Sequence, residues 1–312
     1  MSTTTSTPIT AALVKELRDR TGAGMIDCKK ALEAMGGDVD AAAEKLRIEG
    51  MAKADKKGTR TAAEGVIGIA IGDNAIALAE ANSETDFVSK GDDFKALAET
   101  AAQLALAHRP KTLDELLALK TADGQTLEEM RRGLVAKIGE NITVRRFEIV
   151  EKAAGPIAHY LHGTKIGVVV ALEAGDVELA KDIAMHVAAS QPRHLDAASV
   201  PADVVEAEKK VIEAQVAQEQ EDAKAAAAED GKEFKAKPAE ILAKMIDGKV
   251  KKFLGEITLH GQPFVKDPDQ TVEKLLASKK AKVARFVRLA VGEGIEKKKE
   301  DFAAEVAAAS KV

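Results

Sequence analysis

A chain of 312 residues with 46% hydrophobic side chains has the length for two or three domains and enough apolar surface to fill their cores. Its 46 basic and 51 acidic residues leave a net charge of -5, and only 3% of the side chains are aromatic, so neither electrostatics nor base stacking favours nucleic acid or an anionic membrane as the main ligand. The single cysteine, Cys28, excludes an internal disulfide and a multi-cysteine zinc site, as a reducing cytoplasm would lead one to expect.

The opening MSTTTSTPIT lacks the apolar core of a signal peptide and the arginines of a transit peptide, and no window approaches the roughly 18 apolar residues of a membrane span. The expected location is cytoplasmic. Thr10 is placed to cap a helix with Leu13, Val14 and Leu17 on one face, and Gly22 to stop it. Cys28, Ala31, Leu32 and Met35 then recur at i, i+3, i+4 and i+7, and after Gly36-Gly37-Asp38 the same spacing returns in Val39, Ala42, Ala43 and Leu46. Three short helices make a small module. Residues 51–64 are polar and basic, and read as an exposed helix end running into a linker.

The period then changes from helix to strand. Residues 65–71 and 75–81 flank the turn Gly72-Asp73-Asn74, the composition of an antiparallel hairpin. A helix follows from about Asp92 with Phe94, Leu97, Ala98 and Ala101 on its buried stripe, and two more start at the capping-box pairs Thr112/Glu115 and Thr126/Glu129. Residues 142–150 return to strand character. From 155 onward the pattern of hairpin, turn and amphipathic helix recurs, with Gly163-Thr164-Lys165 at the turn, which predicts an internal duplication. The copies differ in one respect: NSETDFVSKGDD joins strand to helix in the first, and a short EAGD in the second.

Pro201 is expected at the first position of a long polar helix that returns through Ile241, Leu242, Met245 and Ile246. Gln215 and Gln218 interrupt its apolar seam, so this inserted arm needs support from the core or from a partner. GEITLHGQPFV and KVARFVRLAV add strands, and a terminal helix carries Phe302 and Val306.

For catalysis the inventory is poor: no phosphate-binding glycine loop, and only a short turn at Gly292 and Gly294. His159 and His162, three apart on a strand, point to opposite faces, and no thiolate or carboxylate completes a metal shell. Cys28 fits a buried small hydrophobe, and His186 a partly buried helix histidine. Neither a catalytic residue nor a metal site is expected. Two features invite a binding role. Met25 and Ile26 follow a glycine-bounded turn, where they are either core or displayed at a helix start. Asp86-Phe87 lies on the extended loop, with the ring either tucked back as a staple or held out.

LRDRTGAGMIDCKKAL (17–32) and EANSETDFVSK (80–90) resemble the two signature stretches of the bacterial elongation factor Ts family. HGTKIGVVV, GKVKKF, GEITLHGQPFV, VGEGIEKK and DFAAEVAAAS follow in the family's order, so the resemblance covers essentially the whole chain. Ala81 and Glu84 depart from it, where a larger aliphatic and a glutamine are usual. The resemblance implies an α+β protein with an N-terminal three-helix, UBA-like domain (1–57) and a core subdomain at 58–154. A second core subdomain would comprise 155–199 and 254–291, with an inserted antiparallel helical hairpin at 200–253 and a C-terminal helical module at 292–312. It further implies a guanine nucleotide exchange factor, not an enzyme, with no cofactor of its own. The factor would act on the Mg2+ and GDP of its partner, the GTPase elongation factor Tu. The loop matching Thr85, Asp86, Phe87 and Val88 would insert beside the partner's magnesium site. Positions matching Arg18, Met25, Ile26 and Lys29 would pack on the same domain, and His162 would meet it from the second subdomain. The hairpin leaves open a homodimer or a heterotetramer.

Overall fold

The computed structural model describes residues 8–231 and 233–296. The expected terminal helix with Phe302 and Val306 lies outside them, as does most of the expected module at 292–312. The described residues fall into two compact units. One takes residues up to 149 with 161–167 and those from 289, and the other takes 150–160 with 168–288.

The first unit opens with α1 (Ala11–Thr21), α2 (Met25–Ala34) and α3 (Val39–Lys57). Thr10 Oγ1 accepts the Leu13 N–H at 3.3 Å, and Gly22 closes α1 at φ 67°, a left-handed conformation that a side chain would strain. Val14, Leu17, Cys28, Ala31, Leu32 and Ala42 form a small core of their own, as the helical spacing predicts. Residues 51–64 follow the expected exposed helix end and linker in part: α3 stops at Lys57 and residues 58–61 are exposed ahead of the next strand, but the helix end is not free. The last turns of α3 pack on α7 (Leu127–Ile138), with Ala54 buried in the core that α7 shares. Gly50 explains why: a Cβ built there would stand 2.8 Å from that of Ala136, so the contact is made by small residues that carry little hydropathy signal.

β1 (Glu64–Ile71) and β2 (Ala75–Ser83) pair antiparallel from Glu64↔Ser83 to Ile71↔Ile76, and β3 (Ile142–Glu151) lies beside β2. Between them come α4 (Asp86–Ser89), α5 (Asp92–His108), α6 (Leu113–Ala118) and α7. Phe94, Leu97, Ala98 and Ala101 of α5 are buried against Val66, Ala77 and Ala79 of the sheet. Thr126 and Glu129 form a full capping box. Thr112 caps Glu115, but the Glu115 carboxylate reaches back one residue further, to the Lys111 N–H at 2.6 Å.

The order then recurs, mostly in residues of the second unit: β4 (Ile157–His162), β5 (Ile166–Ala174), α8 (Val177–Ser190) and, beside β5, β8 (Lys282–Ala290). The expected duplication is therefore visible as two three-stranded sheets of equivalent order. Inserted between α8 and β8 are α9 (Ala202–Glu229) and α10 (Ala239–Ile257), which pack on each other. Pro201 is the cap residue of α9 and not its first turn. The seam is as thin as the interrupted heptads predict: Ile212 and Val216 are buried in α9, and no residue of α10 is.

GEITLHGQPFV, expected as a strand, is mostly something else. Gly255–Ile257 finish α10, and Leu259 and His260 donate their N–H groups to the carbonyls of His194 and Leu195 in an irregular connection. Only β6 (Pro263–Phe264) is extended there, paired with β7 (Asp267–Thr271) ahead of α11 (Val272–Ser278).

Candidate partner interface

β2 is buried at all nine positions, and this rigidity is what the adjoining loop is built on. At its end Asn82 and Ser83 are buried, and Ser83 Oγ donates to the Thr85 carbonyl at 2.9 Å. Thr85 is held from the connection between α7 and β3. Its N–H and its hydroxyl both donate to the Glu140 carboxylate, at 3.0 and 2.7 Å. The next residues close into the single turn α4. Ser89 Oγ donates to the Asp86 carbonyl at 2.9 Å, the Gly91 N–H donates to the Val88 carbonyl at 3.0 Å, and Ser89 is buried.

This wiring decides where the side chains go. Val88 packs against the core, whereas Phe87 is 81% exposed. The tucked-back alternative for the ring is thereby overturned: a turn pinned at Thr85 and Ser89 leaves Phe87 on its outer side. Lys90 reaches over the ring, with Nζ 5.7 Å from its centroid, and ends 2.6 Å from Asp86 Oδ2. That hydrogen bond to the ammonium holds the Asp86 carboxyl below its usual range, so the residue is an anion at neutral pH.

His162 ends β4 and is exposed. The turn that follows it is tied to β1, because the Thr164 carbonyl accepts the Ile67 N–H at 2.8 Å and Lys165 Nζ lies 2.9 Å from Glu64 Oε2. Glu64 also acts on Asp86, raising its pKa through its charge. The His162 turn and the Phe87 loop thus meet the same end of β1. Met25 and Ile26 stand on the N-terminal module instead, at the first turn of α2, where Gly24 gives no side-chain cap. They are 53% and 72% exposed, which settles their two alternatives in favour of display. Arg18 and Lys29 are exposed on the same module, Lys29 lying 3.8 Å from Glu33.

Below the loop, Glu80 is fully buried on β2 beside Arg146 at 2.6 Å and Arg145 at 3.2 Å, and it accepts the N–H of Gly292 at 2.8 Å. Burial alone raises its pKa; the Gly292, Arg146 and Asn82 hydrogen bonds outweigh that and leave it below the usual 4.5. Glu84 accepts the Asn141 N–H at 2.6 Å and lies 3.5 Å from Arg60. Sequence reasoning missed Glu140 and the Glu80 cluster. Thr85 lies 55 residues from Glu140, and Arg145 and Arg146 lie 65 and 66 residues from Glu80, beyond the reach of any local pattern.

Cys28 is fully buried, with Sγ 3.6 Å from the Ala23 carbonyl. His186, expected to be partly buried, has no exposed surface. It lies between Gln262, at 3.0 Å from Nε2, and the Val265 N–H, at 3.2 Å from Nδ1. Among the described residues, no group of three or more His, Cys, Asp or Glu side chains is placed to hold a metal ion. Nor is any described helix long and apolar enough to cross a membrane.

The sequence model of the family described as elongation factor TS matches residues 84–293. The elongation factor Ts of Methylococcus capsulatus is 55% identical over 302 residues, which cover 96% of this chain and 98% of that protein. That of Francisella tularensis subsp. novicida is 55% identical over 298 residues, covering 96% and 97%. That of Thioalkalivibrio sulfidiphilus is 52% identical over 306 residues, covering 97% and 99%. A family match over residues 84–293, together with more than half the residues identical across 96–97% of the chain, has one meaning: the chain belongs to the elongation factor Ts family.

Proposed function

We propose that this chain binds elongation factor Tu in its GDP-bound form and accelerates GDP release, so that GTP can enter. The reading is carried by Phe87, a large apolar side chain 81% exposed on a turn whose backbone is fastened on both sides. A displayed ring on a rigid mount makes a wedge, because little conformational entropy is left to lose when it enters another protein.

Exchange is differential binding. Whatever factor the chain takes from the partner's affinity for nucleotide, nucleotide takes from the partner's affinity for the chain. Magnesium tolerates little departure from octahedral geometry, so a wedge that shifts the groups around it weakens the hold on the phosphates. Asp86, anionic and partnered by Lys90, adds negative charge where the phosphates must remain. Burying one phenylalanine is worth about 1.5–3 kcal/mol, on the order of ten- to a hundred-fold in an equilibrium. The remaining effect falls to Thr85, Val88, His162 and the module carrying Arg18, Met25, Ile26 and Lys29.

The test is the release of fluorescent GDP from purified elongation factor Tu with Mg2+ present. Catalytic amounts of the chain should raise the rate by orders of magnitude, and a rate that does not respond to the chain refutes the reading.

A further inference from the structure

Building on that reading, we infer that Glu140 is a positioning residue for the wedge, and that residues 139–141 form the junction from which both the Phe87 loop and the N-terminal module are held. Glu140 stands between α7 and β3, and its two carboxylate oxygens divide between the N–H and the hydroxyl of Thr85. Both bonds end on the residue just before the turn that displays Phe87. The neighbours of Glu140 extend the grip. Asn141 donates its N–H to Glu84 at 2.6 Å and its side-chain amide to the Arg60 carbonyl at 2.6 Å. The Gly139 carbonyl accepts from the Lys57 ammonium at the end of α3.

Three consecutive residues therefore hold the last turn of the module's third helix, the connection that follows it and the first two residues of the loop. An exposed loop of polar residues would otherwise sample many conformations, and each would have to be given up when the partner binds. Two bonds to one carboxylate remove that freedom in advance. Glu140 needs no contact with the partner to do this.

The role separates from mere support by three comparisons in the full-length chain. Glu140→Ala should speed amide hydrogen exchange across Thr85–Lys90 in the free protein roughly tenfold. It should also lower kcat/KM for GDP release roughly tenfold. Glu140→Gln should stay near the parent in both, since its carbonyl can take the Thr85 N–H while its amide donates to a reversed hydroxyl. In a Phe87→Ala background, Glu140→Ala should cost little more, because it acts through the ring. The proposal is overturned if the loop amides of Glu140→Ala are unchanged, if they loosen while GDP release is intact, or if Gln fails as badly as Ala, which would mean that the carboxylate charge acts directly. An inactive parent chain would overturn the proposed function instead. The amide measurement, which needs no partner, would still decide whether the clamp is real.

Discussion

The two copies of the hairpin-and-helix unit share strand order and helix placement but solve one join differently. In the second, β5 passes to α8 through Gly175 and Asp176 alone, and Asp176 caps the helix by accepting the Leu179 N–H at 2.7 Å. In the first, β2 passes to α5 through Glu84–Gly91, the helix has only Gly91 as cap residue, and the loop's bonds go to Glu140. Two residues are enough for the scaffold. The extra residues of the first copy stabilise no helix end; they lift Phe87 into solvent on a mount that cannot sag. The shared framework is what folds, and the difference between the copies is where the proposed function resides.

Making the copies alike is the most severe test of that contrast. Replacing Glu84–Gly91 by the Gly-Asp dipeptide of the second copy should return GDP release most of the way to its unstimulated rate, leaving only what His162 and the N-terminal module supply. The cost in stability should be about 2 kcal/mol, because Val88 and Ser89 leave the core. Urea unfolding checks the second half, and a variant that still drives release at the parent rate would show that the loop is not the wedge.

The sheets differ below the loop as well. β5 is lined by Val168, Val169, Val170 and Leu172, while β2 buries Glu80 among two arginines. Glu80→Ala would leave Arg145 and Arg146 without their buried counter-ion. Both arginines keep about a third of their side-chain surface exposed and can rehydrate, so the loss should lie near the lower end of the ~3–5 kcal/mol typical of a broken buried pair. The folded-state pKa of Glu80 is depressed, so its contribution is present above the ordinary value of 4.5 and is lost as pH falls through the folded-state value. The gap in urea midpoint between Glu80→Ala and the parent should be narrower at pH 4 than at pH 7. A smaller effect is expected of Phe87→Ala, which should slow release ten- to a hundred-fold and leave part of it intact. An unchanged rate would move the wedge elsewhere.

Much of this contrast is legible in the sequence, because its causes are local. Period-two runs flanking Gly72-Asp73-Asn74 and Gly163-Thr164-Lys165 give the hairpins, the Cys28 stripe gives the first module, and the length of the polar insert gives the loop. What is not legible depends on groups far away in the chain. Residues 255–265 alternate like a strand, yet Gln262 spends its side chain on the Ser190 and Glu256 carbonyls and on His186, which bends the segment into a connection. α11 is seven residues long, too short for a period to show, and its one available signal is Thr271, which caps it. Nothing near Thr85 announces Glu140.

The finest distinction between the copies is how they meet acid. In the second, the Val265 N–H donates to His186 Nδ1, which must therefore be unprotonated, and Nε2–H donates to Gln262. Protonation would set two N–H groups against each other in a buried site. Burial holds the His186 pKa below 6.5 despite the bond to Gln262, and burial with Lys181 does the same for His159. Both contributions are complete above about 6.5 and are lost as pH falls toward the folded-state values, at no more than about 1.4 kcal/mol per pH unit for each group. Glu80 is unaffected over that range, so the second copy should weaken first. Amide exchange, corrected for its intrinsic pH dependence, should show α8 losing protection between pH 7.5 and 5.5 while α5 keeps it. His186→Gln should be less stable at neutral pH but show a shallower decline. If α5 opened first, or if the variant kept the full slope, the histidine would not be the acid-sensitive point of its copy.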